Sequence, residues 1–151
     1  MLTIATRPAT SSDVETIAAF QTTLAFETES KILDHVSVLY GVRGAVEGAY
    51  GSRYLVAEIA GEVVGCLMLL PEWSDWSGHI RLWVHSVFVT ESARRCGVAK
   101  AMIAAAEKVA ASLDADGLRL VVNSNNLAAI RLYESFAFVN ANYRVMDLAR
   151  H

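Results

Sequence analysis

Residues 86–100 read Ser-Val-Phe-Val-Thr-Glu-Ser-Ala-Arg-Arg-Cys-Gly-Val-Ala-Lys, and we interpret this stretch as a strand, a loop and the first turn of a helix. β-Branched and aromatic residues at its start favour an extended strand. The Ala-rich continuation has apolar residues on one helical face, at Met102, Ala106, Val109 and Leu113. Because the first turn of a helix has unpaired N–H groups and the positive end of the helix dipole, this junction predicts an anion site.

The residues of this loop favour a polyphosphate as the anion. Gly97 lets a ligand approach the backbone without meeting a Cβ, and Ala99 keeps the next turn small. Positive charge comes from Arg94, Arg95 and Lys100. A Walker loop is excluded because Lys100 stands between two alanines, and a dinucleotide-binding loop is excluded because it needs three spaced glycines.

Two motifs resemble the GNAT N-acetyltransferase superfamily, whose members bind acetyl-CoA. Residues 94–99 read Arg-x-x-Gly-x-Ala behind the strand Val-Phe-Val, and they are similar to the family's pyrophosphate loop, Gln/Arg-x-x-Gly-x-Gly/Ala. Residues 126–138 read Asn-x-x-Ala-x-x-x-Tyr-x-x-x-Ala-Phe and are similar to a later family motif that ends in Gly-Phe. Ala137 replaces that glycine, which costs on the order of 1 kcal/mol if the position needs a positive φ.

The resemblance implies that the chain binds acetyl-CoA through the loop, the preceding strand and the later motif. In the family, the pantetheine arm pairs with main chain at positions that match Val87 and Val89 here. The residues assigned to the cofactor in this way are Val87, Phe88, Val89, Arg94, Arg95, Cys96, Gly97, Val98, Ala99, Lys100, Asn126, Ala129 and Tyr133.

The composition indicates a single domain over residues 1–151 and excludes several classes of protein. Hydrophobic residues make up 54% of the chain, but no apolar run approaches the roughly 20 residues of a membrane span. With a formal net charge of -3, general binding to nucleic acid or to anionic lipid is not expected. Cys66 and Cys96 have no metal-like spacing, so we expect no metal site and no disulfide scaffold, and we expect a soluble, cytoplasmic protein.

The predicted element order is β-α-α-β-β-β-α-β-α-β-β, a mixed α/β sheet with helices on its faces. Predicted strands cover residues 2–7, 54–59, 63–70, 80–89 and 118–123, with a loop over 71–78 and a closing hairpin over 138–148. A capping box at residues 12–15 predicts the start of a first helix. A second helix is predicted from about Ile32 until Gly41 and Gly44 break it, and a last helix is predicted with Asn125 or Asn126 as its cap. The GNAT resemblance implies the same fold, in which strands 80–89 and 118–123 splay apart around the pantetheine arm.

Acetyl transfer requires a neutral amine, although a free alkylamine has a pKa of about 10, so a base or a water relay is needed. His85 lies two residues before Val87, and imidazole titrates in the useful range; the alternative for His85 is a core histidine. Glu72 and Asp75 lie in the run Pro-Glu-Trp-Ser-Asp-Trp next to the same strand. The base is therefore His85, an acidic residue or water.

The departing thiolate needs a proton, and the thioester oxygen needs a fixed donor such as a backbone N–H of the splayed strand. Tyr133, one helical turn after Ala129 on the same face, is the general acid that the resemblance implies. The alternative is a core tyrosine that covers the sheet.

Two regions are candidates for binding the acceptor. Trp73, Asp75 and Trp76 form an aromatic and acidic loop that suits a cationic amine; the alternative is an edge loop whose tryptophans anchor it in the core. Glu27 and Glu29 lie in the first helix pair, which usually forms one wall of the acceptor pocket in the family that the sequence resembles. The alternative there is a solvated helix end.

The sequence therefore predicts an acetyl-CoA-dependent N-acetyltransferase that acts on a small-molecule amine or an exposed amino group, by direct transfer in a ternary complex. The rival interpretation is a non-catalytic acyl-CoA-binding or regulatory module of the same fold. Tyr133 favours the enzyme, because cofactor binding alone does not require a phenol. Dimers are common in the family, which leaves a homodimer open beside a monomer.

Overall fold

The computed structural model describes residues 2–150, and it contains one five-stranded sheet. The strands are β1 (Ile4–Pro8), β2 (Arg53–Ile59), β3 (Glu62–Ser74), β4 (His79–Val89) and β5 (Leu118–Leu120). The α-helices are α1 (Val14–Glu29), α2 (His35–Val46), α3 (Val98–Ser112) and α4 (Leu127–Ser135). The chain divides into two units, the first ending at Val121 and the second, which contains α4, beginning at Val122.

The sheet is mixed, as predicted, and its strands follow the order β1-β2-β3-β4-β5. The first four strands are antiparallel to their neighbours, whereas β5 runs parallel to β4. A two-residue turn joins β2 to β3 through Ala60 and Gly61, which have φ values of 52° and 80° and so match the twist of a hairpin. Within residues 2–150, no helix combines the length and the apolar character that crossing a bilayer requires.

Successive side chains along each strand point to opposite sides of the sheet, and both sides are apolar. Val56 and Cys66 point to one face and are buried in a cluster with residues of α1 and α2. Since successive strand residues point to opposite sides, Leu67 and Leu69 belong to the other face, and α3 packs there with Met102 fully buried. Burial of each such side chain contributes roughly 2 kcal/mol.

Gly65 on β3 sets how closely α3 approaches the sheet. A Cβ at this position would lie 3.0 Å from the Phe88 carbonyl oxygen and 3.0 Å from Cγ1 of Val98, the first residue of α3. Both distances are tighter than ordinary contacts, and the carbonyl belongs to β4 itself. The missing side chain therefore lets the N-terminus of α3 pack directly against β3 and β4.

β3 is longer than predicted, so the loop prediction over residues 71–78 is wrong in its first half. The strand continues through Pro71 to Ser74, and only the remaining residues form the turn to β4. The last pair with β2 is at Leu69, so Pro71 lies where a missing N–H breaks no hydrogen bond to that strand.

α2 starts later than predicted and is not broken by its glycines. Asp34 caps the helix by accepting a hydrogen bond from the Ser37 N–H at 2.9 Å. The helix then runs through Gly41 and Gly44 to its end. Packing of residues such as Val42, which is buried, outweighs the low helix propensity of glycine.

The closing hairpin predicted over residues 138–148 is wrong, and β5 ends at Leu120 rather than near 123. Residues 138–150 contain neither helix nor strand, and every residue from 139 to 150 is exposed. The Asn142 N–H donates instead to Asn140 Oδ1 at 2.8 Å, with Asn142 at φ 60°. Local hydrogen bonds of this kind compete with strand pairing, and here no buried face opposes them.

The second unit has a well-defined helix end. Asn126 caps α4, as predicted, by accepting from the Ala129 N–H at 3.2 Å. At the other end, the Phe138 N–H donates to the Tyr133 carbonyl and the Ala137 N–H donates to the Glu134 carbonyl. This is a Schellman motif with Ala137 at φ 68°, so the position that departs from the GNAT pattern does take a positive φ.

An ion-pair network joins the first helical turn to the sheet. Asp13 is buried; it accepts from the Thr10 N–H at 2.7 Å and from Arg7 Nη1 at 2.7 Å. Arg7 also contacts Glu58 Oε1 on β2 at 2.7 Å. The capping box therefore lies at residues 10–13, two positions before the predicted one. The Arg7 guanidinium lowers the pKa of Asp13 below its usual value.

We predict that Asp13→Asn lowers the free energy of unfolding at pH 7 by about 2 kcal/mol, because charge-assisted hydrogen bonds are lost from a buried site. The pKa of Asp13 is lower in the folded state, so its contribution is present above about pH 4 and is lost as pH falls through the folded-state pKa. Denaturant unfolding measured from pH 7 down to pH 2 should show that the free energy of unfolding falls less on acidification in the variant than in the parent. Asp147→Asn, at an exposed position, is the control. Equal acid dependence in Asp13→Asn and the parent would contradict this account.

A second prediction follows from the left-handed residue at the end of α4. Ala137→Gly should raise stability by about 1 kcal/mol, since glycine has no Cβ penalty at positive φ. The control is Ala19→Gly, at an exposed interior position of α1, where the same change should lower stability by about 1 kcal/mol. Thermal unfolding measures both, and a lower melting temperature for Ala137→Gly would be inconsistent with the motif.

Candidate functional site

β4 loses its parallel neighbour halfway along its length. β5 pairs with β4 only from Leu82 to Val84, although β4 continues to Val89. Within the first unit, part of the main chain of residues 85–89 is therefore left without a strand partner. The resemblance implies that strands 80–89 and 118–123 splay apart; in the structure β5 itself ends at Leu120, and all three of its residues pair with β4.

A β-bulge lies just beyond the last residue of β4 that pairs with β5. Cys66 pairs with Phe88 and Met68 pairs with His85, so two residues of β4, at 86 and 87, face the single residue between Cys66 and Met68. Ser86 takes a φ of 56°, which is uncommon for a residue other than glycine. The bulge re-aims the N–H and C=O groups that follow it, including those of Val87.

Gln21 on α1 holds this bulge and was not among the residues predicted from the sequence. Its Nε2 makes long hydrogen bonds to the Ser86 carbonyl at 3.4 Å and to Cys66 Sγ at 3.5 Å. Burial raises the pKa of Cys66 to about 12, so the thiol stays protonated. The sequence does contain a signal for Gln21, because it stands four residues after the buried Ile17, on the apolar face of an amphipathic helix.

The loop after β4 ends in a concave array of backbone donors. Gly97 has a φ of 86° and directly precedes the right-handed residues of α3. A left-handed residue followed by right-handed ones turns successive N–H groups toward one concavity. The first helical hydrogen bond runs from the Ala101 N–H to the Gly97 carbonyl at 3.0 Å, so the preceding N–H groups have no acceptor within the helix. The donors and the exposed cations Arg95 and Lys100 fit a polyphosphate.

Arg94 and Glu27 were assigned to different ligands from the sequence, and the structure pairs them with each other. Arg94 Nη2 lies 2.9 Å from Glu27 Oε2, and Arg94 Nε donates to the Val89 carbonyl at 3.0 Å. The guanidinium also lies over the Phe88 ring, 5.6 Å from its centroid. Arg94 therefore ties the loop to the end of β4 and to α1.

His85 belongs to a stacked cluster on the α1–α2 face of the sheet. Its ring is parallel to that of Trp83, with centroids 5.8 Å apart. The guanidinium carbon of Arg119 lies over the Trp83 ring, 5.7 Å from its centroid. Trp83 Nε1 donates to Glu72 Oε2, so Glu72 orients the indole. Burial lowers the pKa of His85, which keeps the imidazole neutral and able to accept a proton at pH 7.

The remaining acceptor candidates are exposed. Trp73 lies on β3 with 67% exposure, and Trp76 lies in the β3–β4 turn with 93% exposure, so neither indole anchors this hairpin in the core. Asp75 is in the same turn, and Glu29 is the last residue of α1; both are exposed.

The second unit carries the other part of the predicted site. Asn126 and Ala129 share the hydrogen bond that starts α4, and Tyr133 lies one turn further on. The Tyr133 ring contacts Phe138 edge-on, with centroids 5.7 Å apart. Burial raises the pKa of Tyr133, so the phenol keeps its proton at neutral pH.

The sequence matches the model of the acetyltransferase (GNAT) family over residues 17–138. It is 33% identical over 100 residues to an N-alpha-acetyltransferase of Sulfurisphaera tokodaii, covering 59% of this chain and 58% of that protein. It is 29% identical over 102 residues to N-acetyltransferase family 8 member 2 of Rattus norvegicus, covering 68% of this chain and 45% of that protein. The chain thus spans about half the length of the curated relatives it matches.

A solved structure is similar along its whole length. A possible acetyltransferase from Clostridium difficile 630 superposes with a TM-score of 0.88 at 31% identity, covering 98% of each chain. This likeness confirms the mixed α/β fold that the sequence predicts.

Proposed function

Because the chain belongs to the acetyltransferase (GNAT) family, we propose that it transfers an acetyl group from acetyl-CoA to a primary amine, on a small molecule or an exposed amino group. The observation that carries this proposal is the succession of three features along one segment: a bulged strand, the end of its pairing with β5 at Val84, and a helix N-terminus led by a left-handed glycine. We also propose that both units form one acetyltransferase domain, since the family match runs across Val121 and Val122.

We assign acetyl-CoA to the loop and the unpaired part of β4. When bound, the cofactor supplies the acetyl group as a thioester. The N–H groups at the start of α3 would hold its pyrophosphate, and the main chain of Val87 and Val89 would pair with its pantetheine arm. Since Arg94 is engaged with Glu27, the exposed Arg95 and Lys100 are the cations we assign to the phosphates.

His85 is our candidate for the general base. The amine loses a proton as its nitrogen forms the new C–N bond, and a neutral imidazole can accept that proton directly or through one water. Glu72 is better suited to a positioning role than to that of the base, since its carboxylate already accepts from Trp83. Stacking of His85 on the oriented indole then fixes the direction of the imidazole.

Tyr133 is our candidate for the general acid. The C–S bond breaks as the amide forms, and the sulfur that leaves needs a proton. A phenol that stays protonated at neutral pH has that proton to give. Direct transfer in a ternary complex requires no nucleophile on the protein, and the one buried thiol, Cys66, is protonated.

The phosphate assignment predicts that Gly97→Asp lowers the affinity for CoA by roughly 100-fold, because a carboxylate would stand among the donors. Gly61→Asp is the matched control: Gly61 also has a positive φ, of 80°, and lies in the β2–β3 turn. Calorimetric titration with CoA should find the control unchanged. Equal affinities in the two variants would rule out the α3 N-terminus as the phosphate site.

The acid assignment predicts that Tyr133→Phe keeps CoA binding and lowers kcat by roughly 100-fold. The ring and its contact with Phe138 remain, so the change removes only the hydroxyl. Tyr143→Phe, at an exposed position, serves as the control. Steady-state acetylation assays with the best amine of a panel measure the effect, and parental turnover in Tyr133→Phe would make the phenol structural.

A further inference from the structure

A cleft of about 700 Å³ opens between α2, the short turn Ala49–Gly51 and β3. All of its walls belong to the first unit, and its lining is mainly apolar and aromatic. The residues that matter below are Tyr40, Gly41, Tyr50, Met68 and Leu70.

The helix wall of the cleft contains glycines that packing does not require. A Cβ on Gly41 would meet no atom within 4 Å, and a Cβ on Gly44 would meet only the Ala49 Cβ at 3.7 Å, an ordinary contact. Alanine at either position would make a more stable helix. What the two glycines do provide is open space along the α2 side of the cleft.

Two tyrosines border the cleft and leave their rings available. Tyr40 is 81% exposed and Tyr50 is 96% exposed. Tyr50 has φ 54° and ψ 28°, a left-handed conformation that is strained for a bulky residue. Strain of this kind is typically retained at ligand-binding positions.

The floor of the cleft is directly beside the proposed base. Met68 pairs with His85 and Leu70 pairs with Trp83 across the β3–β4 ladder. Paired residues share a face of the sheet, and neighbouring strands are about 4.8 Å apart. A ligand resting on Met68 and Leu70 is therefore one strand away from the imidazole and the bulge.

The charges around the cleft do not favour a polycation. Arg43 and Glu47 are its charged lining residues, and their charges cancel. One carboxylate can attract a single ammonium group, whereas a polyamine or a multiply charged sugar would meet the guanidinium as well. Aromatic faces and apolar walls instead suit a flat apolar group.

We propose that this cleft binds the apolar, aromatic tail of a small primary amine, with the amine directed toward His85, and that Gly41 sets the size of the tail. This inference rests on the proposed acetyl transfer, because it names the acceptor of that reaction. It makes Gly41 a specificity-determining residue.

The test compares 2-phenylethylamine with ethylamine, spermidine and a peptide that has a free N-terminus. Because a buried phenyl ring adds transition-state binding, kcat/KM for 2-phenylethylamine should exceed that for ethylamine by roughly 100-fold. Gly41→Leu should raise KM for 2-phenylethylamine by roughly 10-fold or more, and so lower the ratio of its kcat/KM to that of ethylamine. Its melting temperature should not fall, since leucine is the better helix former. Ala111→Leu, exposed on α3, is the matched control for an added side chain.

Calorimetric binding of 2-phenylethylamine in the presence of CoA separates this inference from the proposed function. Binding that Gly41→Leu abolishes, with no amine acetylated, would uphold the cleft and overturn acetyl transfer. Acetylation that favours spermidine, ethylamine or the peptide would overturn the cleft assignment and uphold acetyl transfer. An unchanged KM for 2-phenylethylamine in Gly41→Leu would also overturn the cleft assignment. If 2-phenylethylamine does not bind and no amine is acetylated, the cleft assignment and acetyl transfer are both overturned.

Discussion

The end of the β4–β5 pairing at Val84 is the constraint on which the proposed site depends. Beyond that point the ladder can no longer satisfy every main-chain group of β4, and the bulge at Ser86 turns the following residues away from a regular path. Gln21 and Cys66 surround the bulge from the helix and strand sides. A strained segment that half-buried hydrogen bonds hold in place keeps its main-chain donors in one direction.

The proposed cofactor site and the proposed acceptor site are built against opposite faces of the sheet. On one face, Gly65 allows α3 to approach closely, and this seats the helix N-terminus beside the end of β4. On the other face, α2, the turn Ala49–Gly51 and β3 border a cleft, and Met68 on its floor pairs with His85. The ring direction of His85 depends on Trp83 and hence on Glu72. The bulge lies between these regions on a single strand, so cofactor and acceptor can be held by one rigid element.

The sequence predicted the features that depend on local pattern. The strand before Gly97, the α3 helix, the β2–β3 hairpin and the Asn126 cap all follow from periodicity and capping chemistry. Features that depend on contacts distant in sequence were missed: the partnership of Arg94 with Glu27, and the strand character of Glu72, which needs β4 as its neighbour. Local polar turns likewise overrode the apolar pattern after Phe138.

Backbone amide hydrogen exchange, measured with and without saturating CoA, tests the central claim most directly. If the pyrophosphate binds the start of α3 and the pantetheine arm pairs with β4, exchange should slow at residues 97–100 and at the β4 amides beyond Ser86, with the β2–β3 turn unaffected. Protection confined to one of these two segments would separate the phosphate site from the strand site. Unchanged exchange at both segments in the saturated protein would contradict the account.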